Sequence, residues 1–352
     1  MPMMNRLEDM PPERLEALLA NFPQARIAVI GDFFLDKYLD VDPGLAEVSL
    51  ETGKTAHQVV AVRHSPGAAG TVVANLAALG AGRLHAVGLT GDDGEAFELR
   101  GDLVALGCGI EHLHVDSSRH TPTYLKPRDR TNPGLAGEHS RYDTKNRTPT
   151  PEPLEQRILA SLDALLPLVD AVIAMDQVDE TNCGVVTNRL VEALADRAPR
   201  NPRVIFWADS RRRIHQFRRV IIKPNQFEAV DCGHPAPDAR VELDDLVRAV
   251  GLLRSRTEAP ICATCGAAGM VVSDPKTTLV PGVRLEGPTD PTGAGDSATA
   301  GAVLALASGA TLPEAALIGN LVASITVQQL ATTGTARPAE LPPRLALWRS
   351  QR

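Results

Sequence analysis

The chain has 352 residues and a formal charge of −7, from 36 Lys plus Arg against 43 Asp plus Glu. With 43% hydrophobic and 22% charged residues it suits one large domain or two ordinary ones, with material for a sizeable core. The acidic balance argues against a general nucleic-acid or anionic-membrane binder, and 3% aromatic content argues against base-stacking platforms. No run of about 18 apolar residues suggests a transmembrane helix, and the charged, amphipathic N-terminus lacks the apolar stretch of a secretion signal. Cys108, Cys183, Cys232, Cys262 and Cys265 are odd in number and scattered, which suits a reduced, cytoplasmic protein.

In chain order, residues 1–23 predict an accessory helix, followed by a buried strand at 26–31. A helix at 71–79 ends at Gly80, a strand covers 84–89, a helix closed by Gly107 covers 94–106, and a strand covers 110–115. Helices follow at 154–165 and 184–195, with strands at 171–175, 204–208 and 220–222. A helix at 243–255, strands at 260–264 and 269–273, and two alanine-rich helices at 295–307 and 312–330 complete the series. Continuous apolar strands alternating with helices predict a mostly parallel sheet covered on both faces. Two polar segments, 37–63 and 119–147, interrupt this order and read as short antiparallel strands inserted after strands of the main sheet. Ligands of such sheets sit beyond the carboxyl ends of the strands, so the insertions are placed to form a lid over residues 24–345. Two plain surface loops are the other reading.

The sharpest local signal is Thr289-Asp290-Pro291-Thr292-Gly293-Ala294-Gly295-Asp296-Ser297, followed at once by an alanine-rich helix. Small residues let backbone N–H groups converge, and the helix start adds partial positive charge, which makes a site for an anion. Asp296 lies in the first turn, where a carboxylate can take a proton from a hydroxyl beside a phosphoryl group. A plain N-terminal helix acid fits the same spacing. Cys262-x-x-Cys265 lacks a second ligand pair and reads as packing. The arginines at 211–213, 218 and 219 read as a solvated helix face.

The whole set of motifs resembles the ribokinase, or PfkB, family of sugar kinases. The resemblance rests on the Asp-Pro-Thr-Gly-Ala-Gly-Asp turn, residues 65–81, Val87 to Gly94, Lys223-Pro224-Asn225-Gln226-Phe227-Glu228 and the turn at 264–269, in family order over about residues 24–340. Within the family it looks most like the kinase half of bacterial heptose-phosphate kinases, on Gly31 to Tyr38, Pro66-Gly67 with Asn75 to Gly80, and Pro224 to Val230. The nucleotidyltransferase half that can follow that kinase is absent from these 352 residues. The resemblance implies a ribokinase-like three-layer α/β fold with a small β lid. It also implies transfer of the γ-phosphoryl group of ATP to a sugar hydroxyl, with heptose 7-phosphate at its anomeric hydroxyl as the leading acceptor. Another sugar or a nucleoside, and a non-catalytic sensor of the same fold, are the alternatives.

By the same resemblance Asp296 is the base, and Gly293, Ala294 and Gly295 are the anion hole. Asn225 and Glu228 help place Mg²⁺ and the phosphates, largely through water, and Mg²⁺ retains waters readily. Thr264 and Gly266 lie along the nucleotide, and Asn320 falls near the adenine. Asp290, Thr292 and the turn at 331–335 correspond to a monovalent-cation loop, for K⁺. Asp36, just after the first strand, accepts two sugar hydroxyls, and Gly67 lets the sugar approach the backbone. Lys126 and Arg141, in the second lid segment, suit an acceptor that already carries a phosphate, and Asp176 lies near the acceptor or the transferred group. The chain departs from the family at Ala68 and Thr71, where Gly and Asn are usual; Thr71 is still expected to bind the substrate through its hydroxyl. Lid-to-lid homodimers are common in the family, so a homodimer is expected.

Overall fold

The apolar runs alternate between two faces. In the second strand Ile27 and Val29 join one core while Ala28 and Ile30 join another, all at most 1% exposed. A strand buried on both sides needs helices on both sides, and this alternation builds three layers. The computed structural model describes residues 4–132, 137–233, 235–236, 239–330 and 333–352.

Among the described residues the strands are β1 (Asn5–Arg6), β2 (Arg26–Gly31), β3 (Phe33–Val48), β4 (Thr55–Ala68), β5 (Arg83–Thr90), β6 (Cys108–Val115) and β7 (Thr123–Asp129). They continue with β8 (Tyr142–Thr144), β9 (Ala171–Asp176), β10 (Ile205–Ser210), β11 (Ile221–Ile222), β12 (Ile261–Thr264), β13 (Gly269–Ser273) and β14 (Thr277–Pro281). The α-helices are α1 (Pro12–Asn21), α2 (Ala69–Ala78), α3 (Gly94–Ala105), α4 (Glu152–Leu165), α5 (Asn188–Arg197), α6 (Gln226–Ala229), α7 (Leu243–Thr257), α8 (Ala294–Ala307), α9 (Leu312–Thr326) and α10 (Leu341–Ser350). The main sheet runs β1-β14-β13-β12-β11-β10-β9-β2-β5-β6, parallel except where β13 pairs antiparallel with β12 and β14. One face carries the side chains of α1, α2, α3, α8, α9 and α10, and the other those of α4, α5 and α7. No helix among the described residues is long and apolar enough to cross a membrane.

The three-layer α/β architecture with a mostly parallel sheet and a small second sheet matches the expectation, and three local readings change. The helix expected from 184 starts at Asn188, because Thr187 caps it by accepting the Leu190 N–H (3.3 Å). Residues just before it stay irregular and serve Asp32, whose carboxylate takes the N–H groups of Val185 (2.7 Å), Gln177 (3.0 Å) and Val178 (3.3 Å). The N-terminal segment adds β1 to the sheet edge beside β14 and buries Leu15 and Leu18 of α1 in the core. Arg14 of α1 is held by Glu314 at 2.8 Å.

The lid is larger than short strands. β3 leaves the main sheet one residue after β2 and pairs antiparallel with β4, with register shifts near Asp40 and Asp42. The second insertion adds β7 parallel to β3 and β8 antiparallel to β7, giving the order β4-β3-β7-β8. The parallel β3–β7 pair was hidden because its strands come from insertions some 90 residues apart.

Candidate active site

The turn expected to bind an anion opens α8. Gly293 caps the helix at φ 74°, a conformation a side chain resists. The first intrahelical bond runs from the Ser297 N–H to the Gly293 carbonyl (2.9 Å), so the N–H groups of Gly295 and Asp296 precede the helical ladder. Asp290 braces the approach, accepting the Thr292 N–H at 3.0 Å while its own N–H donates to the Val327 carbonyl at 2.8 Å. Of the cation-loop turn, residues 331 and 332 lie outside the described residues. Its remainder is tied to α2 by Asn75, whose amide donates to the carbonyls of Thr71 (3.0 Å) and Gly334 (3.3 Å).

Behind this turn lies a cavity of about 370 Å³, lined by Thr264, Gly266, Ala294, Gly295 and Asn320 among others. The expected nucleotide residues of β12, its following turn, α8 and α9 therefore share one cleft. Asn320 is 8% exposed, and its amide donates to the carbonyls of Val280 (3.1 Å) and Pro281 (3.3 Å). It shapes the cleft by holding the end of β14.

A charge cluster closes the inner end. Lys223, 4% exposed, pairs with Asp209 at 2.7 Å, and its Nζ stands 3.4 Å from where a Cβ on Gly295 would lie. Burial pulls the Lys223 ammonium down, but the surrounding carboxylates, Asp209 first, more than offset it and raise its pKa. Asn225 caps α6 through Phe227 N–H (2.8 Å) and Glu228 N–H (2.9 Å), and Glu228 returns Oε2 to the Asn225 N–H at 2.7 Å. Burial and then the Asp209 charge push Asp296 up to about 7, against the pull of Lys223 and Arg211. Glu228 also stands at about 7, raised by burial and by Asp209 against its bond from Asn225. Both acids are thus poised to exchange protons near neutrality.

The residues expected at the acceptor lie at the lid root. Asp36, 5% exposed, takes Lys126 Nζ at 2.7 Å, and a Cβ on Gly67 would lie 2.6 Å from Asp36 Oδ2. Asp36 also acts electrostatically on Asp296, so the two ends of the cleft meet there. Lys126 lies 4.9 Å from the centre of the Tyr38 ring and 5.9 Å from that of Tyr124. Arg141 stacks over Tyr124 at 4.2 Å while forking onto Asp143. Thr71 turns its methyl toward Gly293, 3.5 Å from a Cβ position there, and so borders the anion turn.

Asp176 is otherwise engaged. It is buried in an ion pair with Arg213 and accepts Ser210 Oγ at 2.6 Å, with a pKa near 6 because burial outweighs the arginine. It fixes the end of β9 to the turn after β10. The arginine run is likewise no helix face: Arg213 is this buried partner, Arg212 pairs outward with Asp179 at 3.3 Å, and Arg211 faces the cleft. Sequence reasoning quoted Lys223 only as part of a motif, with no role of its own, and passed over Asp209. The available signal was a charged residue closing each of two apolar strands.

Residues 24–339 match the family described as pfkB family carbohydrate kinase. Similar curated proteins include the bifunctional protein HldE of Stutzerimonas stutzeri, 29% identical over 91% of this chain and 64% of its own length. The HldE of Shewanella putrefaciens is 30% identical over 95% of this chain and 66% of its own length. The chain thus spans about two thirds of the length of these relatives. In fold it resembles the phosphofructokinase-2 of Escherichia coli solved with substrates and products, with a TM-score of 0.67 at 16% identity over 92% of this chain and 99% of that one. The ADP complex of Cryptococcus neoformans ribokinase gives 0.60 at 18% identity over 92% and 98%. The glycine-lined helix start, the acid beside it and the lidded three-layer sheet accordingly belong to a member of the pfkB family of carbohydrate kinases.

Proposed function

We propose that this chain transfers the γ-phosphoryl group of ATP to a hydroxyl of a sugar phosphate, with heptose 7-phosphate at its anomeric hydroxyl as the leading acceptor. The observation that carries the reading is the convergence of Asp296, the anion turn and Lys223 at the junction of the nucleotide cavity with Asp36. Asp36 and the backbone at Gly67 hold the sugar hydroxyls. Lys126 and Arg141 are the cations for the acceptor's own phosphate. Asp296 receives the proton of the attacking hydroxyl, and a carboxyl titrating near 7 is matched to that task. The N–H groups of the α8 start and Lys223 meet the charge of the phosphates. The lid sheet keeps out water, which otherwise competes as acceptor.

Mg²⁺ fits the donor set. Asp209, Glu228 and Asp296 crowd one region, with two of them raised to about 7, so a divalent cation would relieve their repulsion. Mg²⁺ retains waters readily, so Glu228 would hold it through water, beside the substrate phosphates. When bound, the ion neutralises phosphate charge. Asp290 and Thr292 are proposed to support a K⁺ site.

We take the assembly to be a homodimer formed through the lids. Supporting this, Val48 (70%) and Leu50 (98%) stand exposed at the lid hairpin, with Val59, Val60 and Val62 nearby in β4. Light scattering of the purified chain tests it, and a monomer at micromolar concentration rejects it. For the reaction, ADP release is screened over free and phosphorylated sugars, with and without K⁺. Transfer to a phosphorylated sugar above its free counterpart is expected. Release of ADP with no acceptor in the panel phosphorylated would reject the kinase reading.

A further inference from the structure

Among the described residues Arg211 is the arginine at the cleft that forms no ion pair. It follows β10 directly, and its N–H donates to the Asp176 carbonyl at 3.1 Å, which fixes its backbone at the carboxyl end of the central strands. The side chain is exposed and reaches the Tyr124 phenol of the lid. Its charge is felt by both Asp296 and Glu228. Two residues earlier in the same strand end, Asp209 holds Lys223 beside Gly295. Arg211 thus lies between the lid and the anion turn.

Its neighbours differ in one respect. Lys126 is paired with Asp36, Arg141 with Asp143, Arg213 with Asp176 and Lys223 with Asp209. Among the described residues no carboxylate lies within ion-pair distance of Arg211, although acids surround the cleft. A guanidinium offers several donors in a planar fork that matches phosphoryl oxygens. Left without a protein anion, this one is available to a bound anion.

We propose that Arg211 is a catalytic residue that contacts the phosphoryl group during transfer, bridging it to the lid through Tyr124. This rests on the kinase reading above. In the step, the bond from the γ-phosphorus to the oxygen shared with the β-phosphate breaks and its electron pair leaves with ADP. A bond forms from phosphorus to the acceptor oxygen, whose proton passes to Asp296. Arg211 donates to the equatorial oxygens, where charge gathers, and gains most in the transition state. Because its other contact is a lid residue, the guanidinium is correctly aimed only when lid and body are together, which couples closure to transfer.

The test compares wild type, Arg211→Ala, Arg211→Lys and, as a neighbouring control, Arg212→Ala. Steady-state rates use ATP with heptose 7-phosphate, or with the sugar that the ADP-release screen returns. Binding of ADP with and without aluminium fluoride, a mimic of the phosphoryl group in flight, gives a readout free of the acceptor. Arg211→Ala is expected to lower kcat by about 10²–10³-fold, the cost of removing one donor to developing charge, with both KM values within about threefold. It should also lose the tightening that aluminium fluoride gives ADP in wild type. Arg211→Lys should recover only part of the rate, and added guanidinium ion should restore activity to Arg211→Ala. A rise in acceptor KM with kcat unchanged would make Arg211 a binder of the acceptor's phosphate and overturn the proposal. So would rates within threefold of wild type. A wild type that phosphorylates no acceptor and shows no fluoroaluminate tightening instead refutes the kinase reading, a distinct result.

Discussion

The two halves of the cleft are made differently. The proposed nucleotide half is backbone and small side chains: the Gly293–Gly295 turn, Gly266 and the wall where Asn320 grips β14. The proposed acceptor half is long charged side chains on lid strands, and most of these already hold one another, as Lys126 holds Asp36 and Arg141 holds Asp143. A backbone site is organised before ligand arrives, whereas a site of paired charges must exchange partners when ligand enters. On the proposed assignment, discrimination among acceptors falls to the second half.

The largest effect should come from the residue that joins the halves. Asp296→Asn is expected to reduce kcat by roughly 10²–10⁴-fold while ATP still binds, since a lost general base costs that much and the amide keeps the turn. Turnover within a few-fold of wild type would remove Asp296 from the reaction. Next comes Lys126→Met, which separates the halves. It should lower kcat/KM for a phosphorylated acceptor by about 10–100-fold, the worth of one charged hydrogen bond. The loss should be smaller for the matching free sugar. Equal losses would mean that Lys126 only steadies Asp36.

Stability against pH probes the same junction without any substrate. In protein stripped of metal by a chelator, Asp296 and Glu228 bind protons up to about pH 7 when folded but release them near pH 4 when unfolded. The folded state then holds more protons between those values, so stability is full below about pH 4 and declines as pH rises toward 7. Asp296→Asn should flatten part of this decline and leave the share of Glu228. The gain at pH 7.5 should be on the order of 1–2 kcal/mol, allowing for solvent screening of a half-buried group. Thermal melts across pH 4–8 read this directly, and a steeper decline in the variant contradicts the assignment. Restoring Mg²⁺ with nucleotide should suppress the decline in wild type.

The same contrast explains what could be read from the sequence. The proposed nucleotide half lies in contiguous stretches, because a turn that gathers N–H groups must be local; the turn at Gly293 to Asp296 stood out by spacing, and Asn225 to Glu228 by resemblance. The sheet was legible because both its faces are buried, so its strands read as unbroken apolar runs. The acceptor half depends on pairings between β3, β4 and β7, set by long-range register that no local pattern carries. Arg211, Arg212 and Arg213 show the limit most plainly: three identical side chains in a row face the cleft, the surface and the core. Asp176 was sought at the acceptor, and its position at the end of β9 is as expected, but the arginine that occupies it lies 37 residues away.

The smallest effect concerns Ala68, at the seam between the halves. It caps α2 at φ 53° and ψ −117°, a backbone shape that glycine adopts freely and alanine resists. Such strain costs about 1–3 kcal/mol. Two effects oppose its release by Ala68→Gly. The unfolded chain gains freedom worth about 0.5–1 kcal/mol, and the methyl packed beside Phe34 and Tyr124 is lost. The strain is the larger quantity, so a net gain is expected, raising the melting temperature by about 1–3 °C for a chain of this size. The same change opens the backbone beside Gly67 and Asp36, where the acceptor is proposed to lie, and should shift acceptor KM while leaving the ATP KM alone. A lower melting temperature would mean that the methyl's packing outweighs the strain, and that alanine at this position stabilises the lid root.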